Sequence, residues 1–270
     1  MTVTRTYPHG VTCWVDVTQP DLPAAVRFYG ELFGWAFTEV APQYRIASLE
    51  GRDVAAIGAA DGVAGWHTYV AVDDADASAT AVVAGGGTVQ EPPAEAGPGG
   101  RTAACTDPAG AGFRLWQARR RPGAQLVNAP GSWNFSDLHT PDADAALAFY
   151  APLFGWKAVD IPGAGAMLQV PGYGDHLAAT VDPDIHKRQA SAPSGFADVI
   201  GGVVPIAAGE AAHWHVTFSV ADRDGSVAEA ERLGATVVAA GENLWTRHAL
   251  IRDPQGARLT LSQFTPPSTW

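Results

Sequence analysis

Four residues in this chain have the types and the setting for acid–base work. Asp16 and His67 lie in the first half, Asp137 and His215 in the second, each within a short run that reads as a strand. An imidazole near neutral pKa, oriented by an aspartate, is a competent general base for enolisation, epimerisation or cyclisation, and such steps need no metal. The same pairs can instead be hydrogen-bonding neighbours copied by duplication, in which case the sites only bind. Strand alternation places Thr12, Trp14 and Asp16 on one face, His67, Tyr69 and Ala71 on one face, and Arg114 with Trp116 on a third. Trp14, Tyr69 and Trp116 then form an aromatic box around Asp16, His67 and Arg114, which suits a flat or acyl organic molecule whose oxygen meets the arginine. The alternative has Arg114 neutralising Asp16 while the aromatics fill the space as core. The second half offers Trp133, Phe135, Asp137, His215, Thr217, Ser219, Thr260 and Ser262, a roomier and more hydroxylated face. His213 and His215, two apart on one strand, share a face and could chelate a metal if Asp137 or His248 supplied a third ligand. Otherwise His213 is a strand-edge residue and His215 a cleft residue.

The elements that must hold these groups occur twice. Asp16-Val-Thr-Gln-Pro-Asp and Asp137-Leu-His-Thr-Pro-Asp match at an offset of 121 residues, and Leu32-Phe-Gly-Trp35 answers to Leu153-Phe-Gly-Trp156 at the same offset. Trp66-His67 and Trp214-His215 are offset by 148, so the second copy carries an insertion of about 27 residues, placed at about 172–195. Module 1 spans 8–118 and module 2 spans 131–265. Arg119-Arg-Arg-Pro-Gly and the residues after it read as a polar, solvated connection. In module 1 a helix opens at Asp21, an N-cap residue, carries its apolar stripe through Leu22, Ala25, Val26, Tyr29, Leu32 and Phe33, and stops at Gly34. A hairpin turns about Asp107-Pro-Ala-Gly, repeated at Asp253-Pro-Gln-Gly. The spacing predicts an α+β protein of two tandem modules, each of paired βαβββ units forming a curved mixed sheet with a cleft. Pro152 falls in the last turn of the module 2 helix, where it should tighten or kink it. In the insertion, Asp182-Pro183 reads as an N-cap and N1 pair opening a short helix through Ala190.

Composition narrows the partners. The formal net charge of −11 argues against a general attraction to nucleic acid or to anionic membrane. No apolar run is long enough to span a bilayer and the N-terminus has no signal-like apolar core, so a cytoplasmic protein is expected. Cys13 and Cys105 have no metal-ligand spacing and read as small buried hydrophobes. The expected partner is a small-molecule ligand, with room for a homodimer.

The Phe-Tyr pair within each first helix, the Leu-Phe-Gly-Trp stop and the closing Asp-Pro-x-Gly-Ala hairpin together resemble the vicinal-oxygen-chelate superfamily of glyoxalases, bleomycin-resistance proteins and dioxygenases. Nearly the whole chain is covered, most similarly to two-module glyoxalase-like proteins of actinobacteria. The resemblance implies metal ligands on the first, fifth and eighth strands of a module, and sometimes on the fourth. Here the first-strand positions hold Trp14 and Phe135, the fourth strands offer no interior carboxylate, and the eighth-strand positions hold Arg114 and Thr260 where glutamate would stand. Only His67 and His215 fit, and catalytic zinc or oxygen-activating iron needs three protein ligands. No metal and no cofactor are therefore expected. The leading expectation is metal-independent binding of a small hydrophobic or aromatic metabolite, as in sequestering resistance proteins, with Trp14, Tyr69, Arg114, Trp116, Trp133, Phe135 and Thr260 as binding residues. A metal-independent isomerase, epimerase or cyclase using Asp16, His67, Asp137 and His215 comes second. A metal-dependent glyoxalase or dioxygenase comes last.

Overall fold

The computed structural model describes residues 4–161, 165–207 and 209–266. The first module contributes β1 (Thr12–Gln19), α1 (Leu22–Phe33), β2 (Ala36–Ala41), β3 (Tyr44–Leu49) and β4 (Arg52–Ala59). It continues with β5 (Gly65–Ala71), α2 (Ala75–Ala84), β6 (Thr88–Glu95), β7 (Gly100–Thr106) and β8 (Gly112–Ala118). The second begins with β9 (Trp133–Thr140), α3 (Ala143–Phe154), β10 (Lys157–Ile161), β11 (Gly165–Gln169), α4 (Tyr173–Thr180), α5 (Ile185–Arg188) and β12 (Val199–Pro205). It ends with β13 (His213–Ser219), α6 (Arg223–Arg232), β14 (Thr236–Glu242), β15 (Thr246–Arg252) and β16 (Arg258–Phe264). Each module is one open eight-stranded sheet, ordered β2-β3-β4-β1-β5-β8-β7-β6 and β10-β11-β12-β9-β13-β16-β15-β14. β1 runs parallel to β4 and antiparallel to β5, and β5 runs parallel to β8, so the sheets are mixed. The molecule is an α+β protein of tandem paired βαβββ units.

Local chemistry explains the repeated start. The Asp21 carboxylate accepts from Ala24 N at 2.9 Å, Asp142 does the same for Ala145 N, and each satisfies a donor that the first helical turn leaves free. Gly34 and Gly155 close α1 and α3 in the left-handed region, at φ 72° and 71°. α3 continues through Pro152 to Phe154, because Pro152 comes so late that the turn it weakens is the last one. β6 was hidden from pattern reading: it is an exposed edge strand with Pro92 and Pro93, and its pairing with β7 shifts register twice.

The helix-bearing faces of the two sheets pack on each other, and the cores are shared crosswise. One joins α1 and the first strands of module 1 to Val216, Phe218 and Leu261 of module 2, and the other joins Val70, Phe113 and Leu115 to Phe149, Tyr150 and Trp156. Reciprocal polar contacts hold the seam: Tyr29 donates to Asp253 at 2.7 Å and Tyr150 donates to Asp107 at 3.1 Å. Thr68 donates to Ser136 Oγ at 2.8 Å. The faces expected to form the clefts, with Trp14, Asp16 and His67 in module 1 and Phe135, Asp137 and His215 in module 2, are therefore the opposite faces of the two sheets.

The connection between modules departs from the solvated reading. Ala124 and Leu126 are buried, Ala124 N donates to Cys13 O, Arg121 pairs with Asp53 at 2.5 Å, and Trp116 Nε1 donates to Arg121 O at 2.8 Å. Its apolar residues make it part of the first core. The insertion also differs from expectation. α4 precedes the short helix, and α5 starts at Ile185 because the Asp182 carboxylate pairs with Arg188 and does not cap. Cys13 and Cys105 are both buried and free, and burial pushes both thiols up, Cys105 to about 11.

Candidate functional site

On the cleft face of module 1, cross-strand register sets Trp14 opposite Tyr69, Asp16 opposite His67, and Tyr69 opposite Arg114. Thr12 does not share this face: a bulge at Cys13 turns it away, and its hydroxyl donates to Ile200 O of the other module. The same irregularity recurs in β9, where Trp133 pairs with Phe218 and Phe135 with Thr217. Trp133 consequently faces the shared core, on the opposite side of the sheet from Phe135 and Asp137. Alternation alone misplaces both residues because a bulge adds one residue to the count.

Asp16 and His67 face one another but do not bond. Asp16 Oδ2 accepts from Tyr69 OH at 2.6 Å and from Tyr44 OH at 2.9 Å. Burial, then the neighbouring Asp16 charge, pushes both phenols well up, so both stay protonated donors. Tyr44 reaches across because Gly58 lies beneath it: a Cβ there would meet Tyr44 Cδ2 at 3.1 Å. His67 Nε2 lies 3.2 Å from Thr18 Oγ1, and burial lowers its pKa against the opposing pull of Asp16. Arg114 pairs with Glu91 at 3.2 Å and lies 5.8 Å from the Tyr69 ring centroid. Burial opposes its charge, but Tyr69, Asp16 and Glu91 outweigh it and hold the pKa up. Trp14, Asp16 and Tyr69 are buried and form a floor, with Tyr69 and Trp116 edge-to-face at 6.2 Å. His67, Arg114 and Trp116 remain half-buried at the mouth. Asp16 Oδ1 and Arg114 Nε are buried there without a hydrogen-bond partner among the described residues.

Module 2 arranges the equivalent positions differently. Asp137 stands opposite His215, yet its Oδ1 accepts from Gly202 N at 2.7 Å, and burial lifts its pKa to about 6. Gly202 makes that approach possible, since a Cβ there would sit 2.8 Å from the carboxylate. His215 Nε2 is 2.8 Å from Thr260 Oγ1. His139 and His213 stack with centroids 4.6 Å apart, and His139 lies 5.4 Å from His215. Burial, with like charges beside it, lowers His215 to about 3 and His139 to about 4. Phe135 packs in a small apolar cluster with Met167, Val199 and Phe196, the last just after the insertion. Sequence reading missed Tyr44, Glu91 and His139. Alternation from Asp137 could have found His139, whereas Tyr44 and Glu91 depend on register across neighbouring strands.

The donor set does not fit the metal that the fold class uses. His67 and His215 occupy the fifth-strand positions β5 and β13, while Trp14, Phe135, Arg114 and Thr260 occupy the others. Among the described residues no group of three or more His, Cys, Asp or Glu is placed to hold a metal ion, the imidazoles of His139, His213 and His215 included.

Residues 13–115 match the family described as "Glyoxalase/Bleomycin resistance protein/Dioxygenase superfamily", and residues 135–262 match "Glyoxalase-like domain". The chain is 37% identical over 273 residues to "Putative glyoxylase CFP32" of Mycobacterium tuberculosis, covering 96% of this chain and 97% of that one. The chain belongs to the glyoxalase/bleomycin resistance/dioxygenase superfamily. It is also 32% identical over 277 residues to "Anthracycline biosynthesis protein DnrV" of Streptomyces peucetius, covering 94% of this chain and 93% of that one. Among solved structures, a Mn(II)-bound glyoxalase from Novosphingobium aromaticivorans superposes with a TM-score of 0.61 at 18% identity, over 96% of this chain and 84% of that one. The 2,3-dioxygenase LapB from Pseudomonas sp. KL28 gives 0.62 at 15% identity, over 100% and 96%. At those identities the likeness concerns the fold. No helix among the described residues is long and apolar enough to cross a membrane.

Proposed function

We propose that the chain binds a flat, oxygenated aromatic metabolite in the module 1 cleft without a metal. The observation that carries this reading is the pair of orphaned polar atoms, Asp16 Oδ1 and Arg114 Nε, buried over an aromatic floor. Buried groups left without partners cost free energy, so a site holding one free acceptor and one free donor suits a ligand carrying both a hydroxyl and a carbonyl. Trp14, Tyr69 and Trp116 supply the apolar surface, and Arg114 meets the ligand oxygen. The name of DnrV places that relative in the making of anthracyclines, polycyclic aromatics of this chemistry, which supports the reading. Titrating the protein with hydroxylated aromatic ketones and quinones, an anthracycline among them, while following tryptophan fluorescence tests it. Saturable quenching that Trp116→Ala weakens is expected, and equal affinity in wild type and Trp116→Ala rules the cleft out.

Asp137 favours a second reading, a metal-independent proton-transfer enzyme. A carboxyl held near pKa 6 can accept and return a proton at neutral pH, whereas the lowered pKa values of His67 and His215 make both imidazoles weaker bases than a free histidine. Asp137 replaces the histidines as the base in this version. If an isomerisation or cyclisation is found, Asp137→Asn should remove at least 99% of it, and full activity in that variant ends the proposal.

A further inference from the structure

The insertion that only module 2 carries builds a pocket of its own. α4 and α5 cover the start of β9 and β12, and they tie down the N-terminal arm: Arg5 donates to Tyr173 OH at 3.3 Å, and Thr6 Oγ1 lies 3.1 Å from His176 Nε2. Between insertion, arm, linker and the first strands of both modules remains a cavity of about 150 Å³. Tyr7, Trp133, Tyr173, Ile185 and Phe196 provide most of its apolar wall. Phe135 and Val199 of the module 2 cleft face reach it, and Asp137, His215 and Thr260 lie outside its lining. A pocket of about this volume, partly open to solvent and lined by both aromatic and polar groups, has room for a single aromatic ring.

The polar lining sets the ligand's charge. The charged residues facing the cavity are Arg5, Asp182 and Arg188, a net positive mouth on a chain of formal net charge −11. Asp182 is occupied by both terminal nitrogens of Arg188. Among the described residues the guanidinium of Arg5 hydrogen-bonds only the neutral Tyr173 hydroxyl, while its charge also acts on Asp182, the carboxylate that Arg188 holds. Gln189 Oε1 is buried on the same wall without a partner. A pocket with aromatic walls, one guanidinium open to a further partner and one buried, unpaired amide oxygen fits a single-ring hydroxylated aromatic acid, its ring against Trp133 and Phe196, its carboxylate on Arg5 and its hydroxyl donating to Gln189 Oε1. We propose that this pocket is a second binding site, selective for monocyclic aromatic carboxylates and independent of the module 1 cleft.

Fluorine NMR of the full-length protein with 4-fluorobenzoate, and with neutral 4-fluorobenzyl alcohol as the uncharged counterpart, tests this. Wild type should broaden the 4-fluorobenzoate signal saturably. Arg5→Met should weaken 4-fluorobenzoate at least tenfold and the alcohol less than threefold, a split that loss of folding would not produce. Ile185→Trp, which fills the cavity, should abolish both. Arg114→Ala, in the other cleft, should change neither. The proposal is overturned if wild type leaves the signal sharp at millimolar protein, if Arg5→Met binds 4-fluorobenzoate as wild type does, or if Arg114→Ala removes the binding.

Discussion

In module 1 the first-strand carboxylate, Asp16, is bonded by two phenols, whereas its counterpart Asp137 in module 2 is bonded by one backbone N–H. Asp16 is buried and Asp137 half-buried, and the two differ in what bonds them. Two short hydroxyl bonds, with Arg114 close enough to act on the same group, give module 1 a polar centre fixed in place. A single amide gives module 2 a carboxyl that burial pushes towards neutrality. The neighbouring histidines follow suit: His67 sits beside Asp16 and Arg114, while His215 sits among other imidazoles. Duplication copied the backbone and the Asp–His positions, and the residues beside them separated a site suited to hold a ligand from one suited to move a proton.

The seam offers the sharpest way to test how equivalent the modules remain. Asp253 accepts from Gln19 at 2.6 Å as well as from Tyr29, whereas among the described residues Asp107 accepts across the seam from Tyr150 alone. Asp253→Ala should therefore cost about 4 kcal/mol and Asp107→Ala about 3 kcal/mol, since each leaves buried donors unpaired. Urea unfolding followed by tryptophan emission measures both, and losses below about 1 kcal/mol would mean that the seam bonds contribute little.

Acid titration separates the clefts next. The raised Asp137 pKa means the folded state holds a proton more tightly than the unfolded chain, so its contribution is full below about pH 4 and is lost as pH rises through about 6. Asp137→Asn should stabilise the protein by about 2 kcal/mol at pH 7 and by nothing near pH 4. The lowered His215 and His139 act in the opposite sense: their contribution is full above the usual histidine value of about 6.5 and is lost as pH falls towards about 3 and about 4. His215→Gln should thus lose less stability than wild type between pH 7 and pH 5. Thermal melts at pH 7, 5 and 4 read both signs, and a variant with the wild-type slope refutes the assignment for that residue.

Smaller effects belong to binding and to the linker. Trp116→Ala and Arg114→Ala should each weaken a cognate aromatic ligand about tenfold, close to 1.4 kcal/mol, while Ser262→Ala and Thr260→Ala at the matching module 2 positions should stay within about twofold. Isothermal titration decides it, and equal losses in both modules would erase the asymmetry. Arg121→Ala removes a half-exposed ion pair that only module 1 makes with the linker, and should lower stability by about 0.5 kcal/mol in the same urea experiment.

Much of this was readable from residues alone. Asp21, Gly34, Asp142 and Gly155 announced the helix limits because capping is local chemistry, and the repeat fixed the two-module architecture. Alternation correctly grouped Trp14 with Asp16, and His67 with Tyr69. It failed at Thr12 and Trp133, since a bulge reverses facing without leaving a pattern in the sequence. The Asp–His bonds expected in both clefts do not form, because Tyr44 comes from a strand two places away in the sheet and Gly202 offers its amide, and neither is visible in a list of residues. The insertion could be counted but not folded: its helices are held by contacts with Arg5 and Thr6, more than 160 residues away.

The crosswise cores impose an order of assembly on the chain. Tyr150 lies 43 residues from Asp107, so the inner units can close on each other soon after α3 has been made. Tyr29 lies 224 residues from Asp253, and the outer core stays open until β15 and β16 arrive. Closing that longer loop costs more chain entropy, though only logarithmically, and during synthesis Phe33, Trp35 and Trp66 lack the Phe218 ring against which they finally pack. The inner pair thus serves as the scaffold on which the two ends of the polypeptide meet, and a nascent chain stopped short of β13 would carry an unfinished apolar face from its first fifty residues.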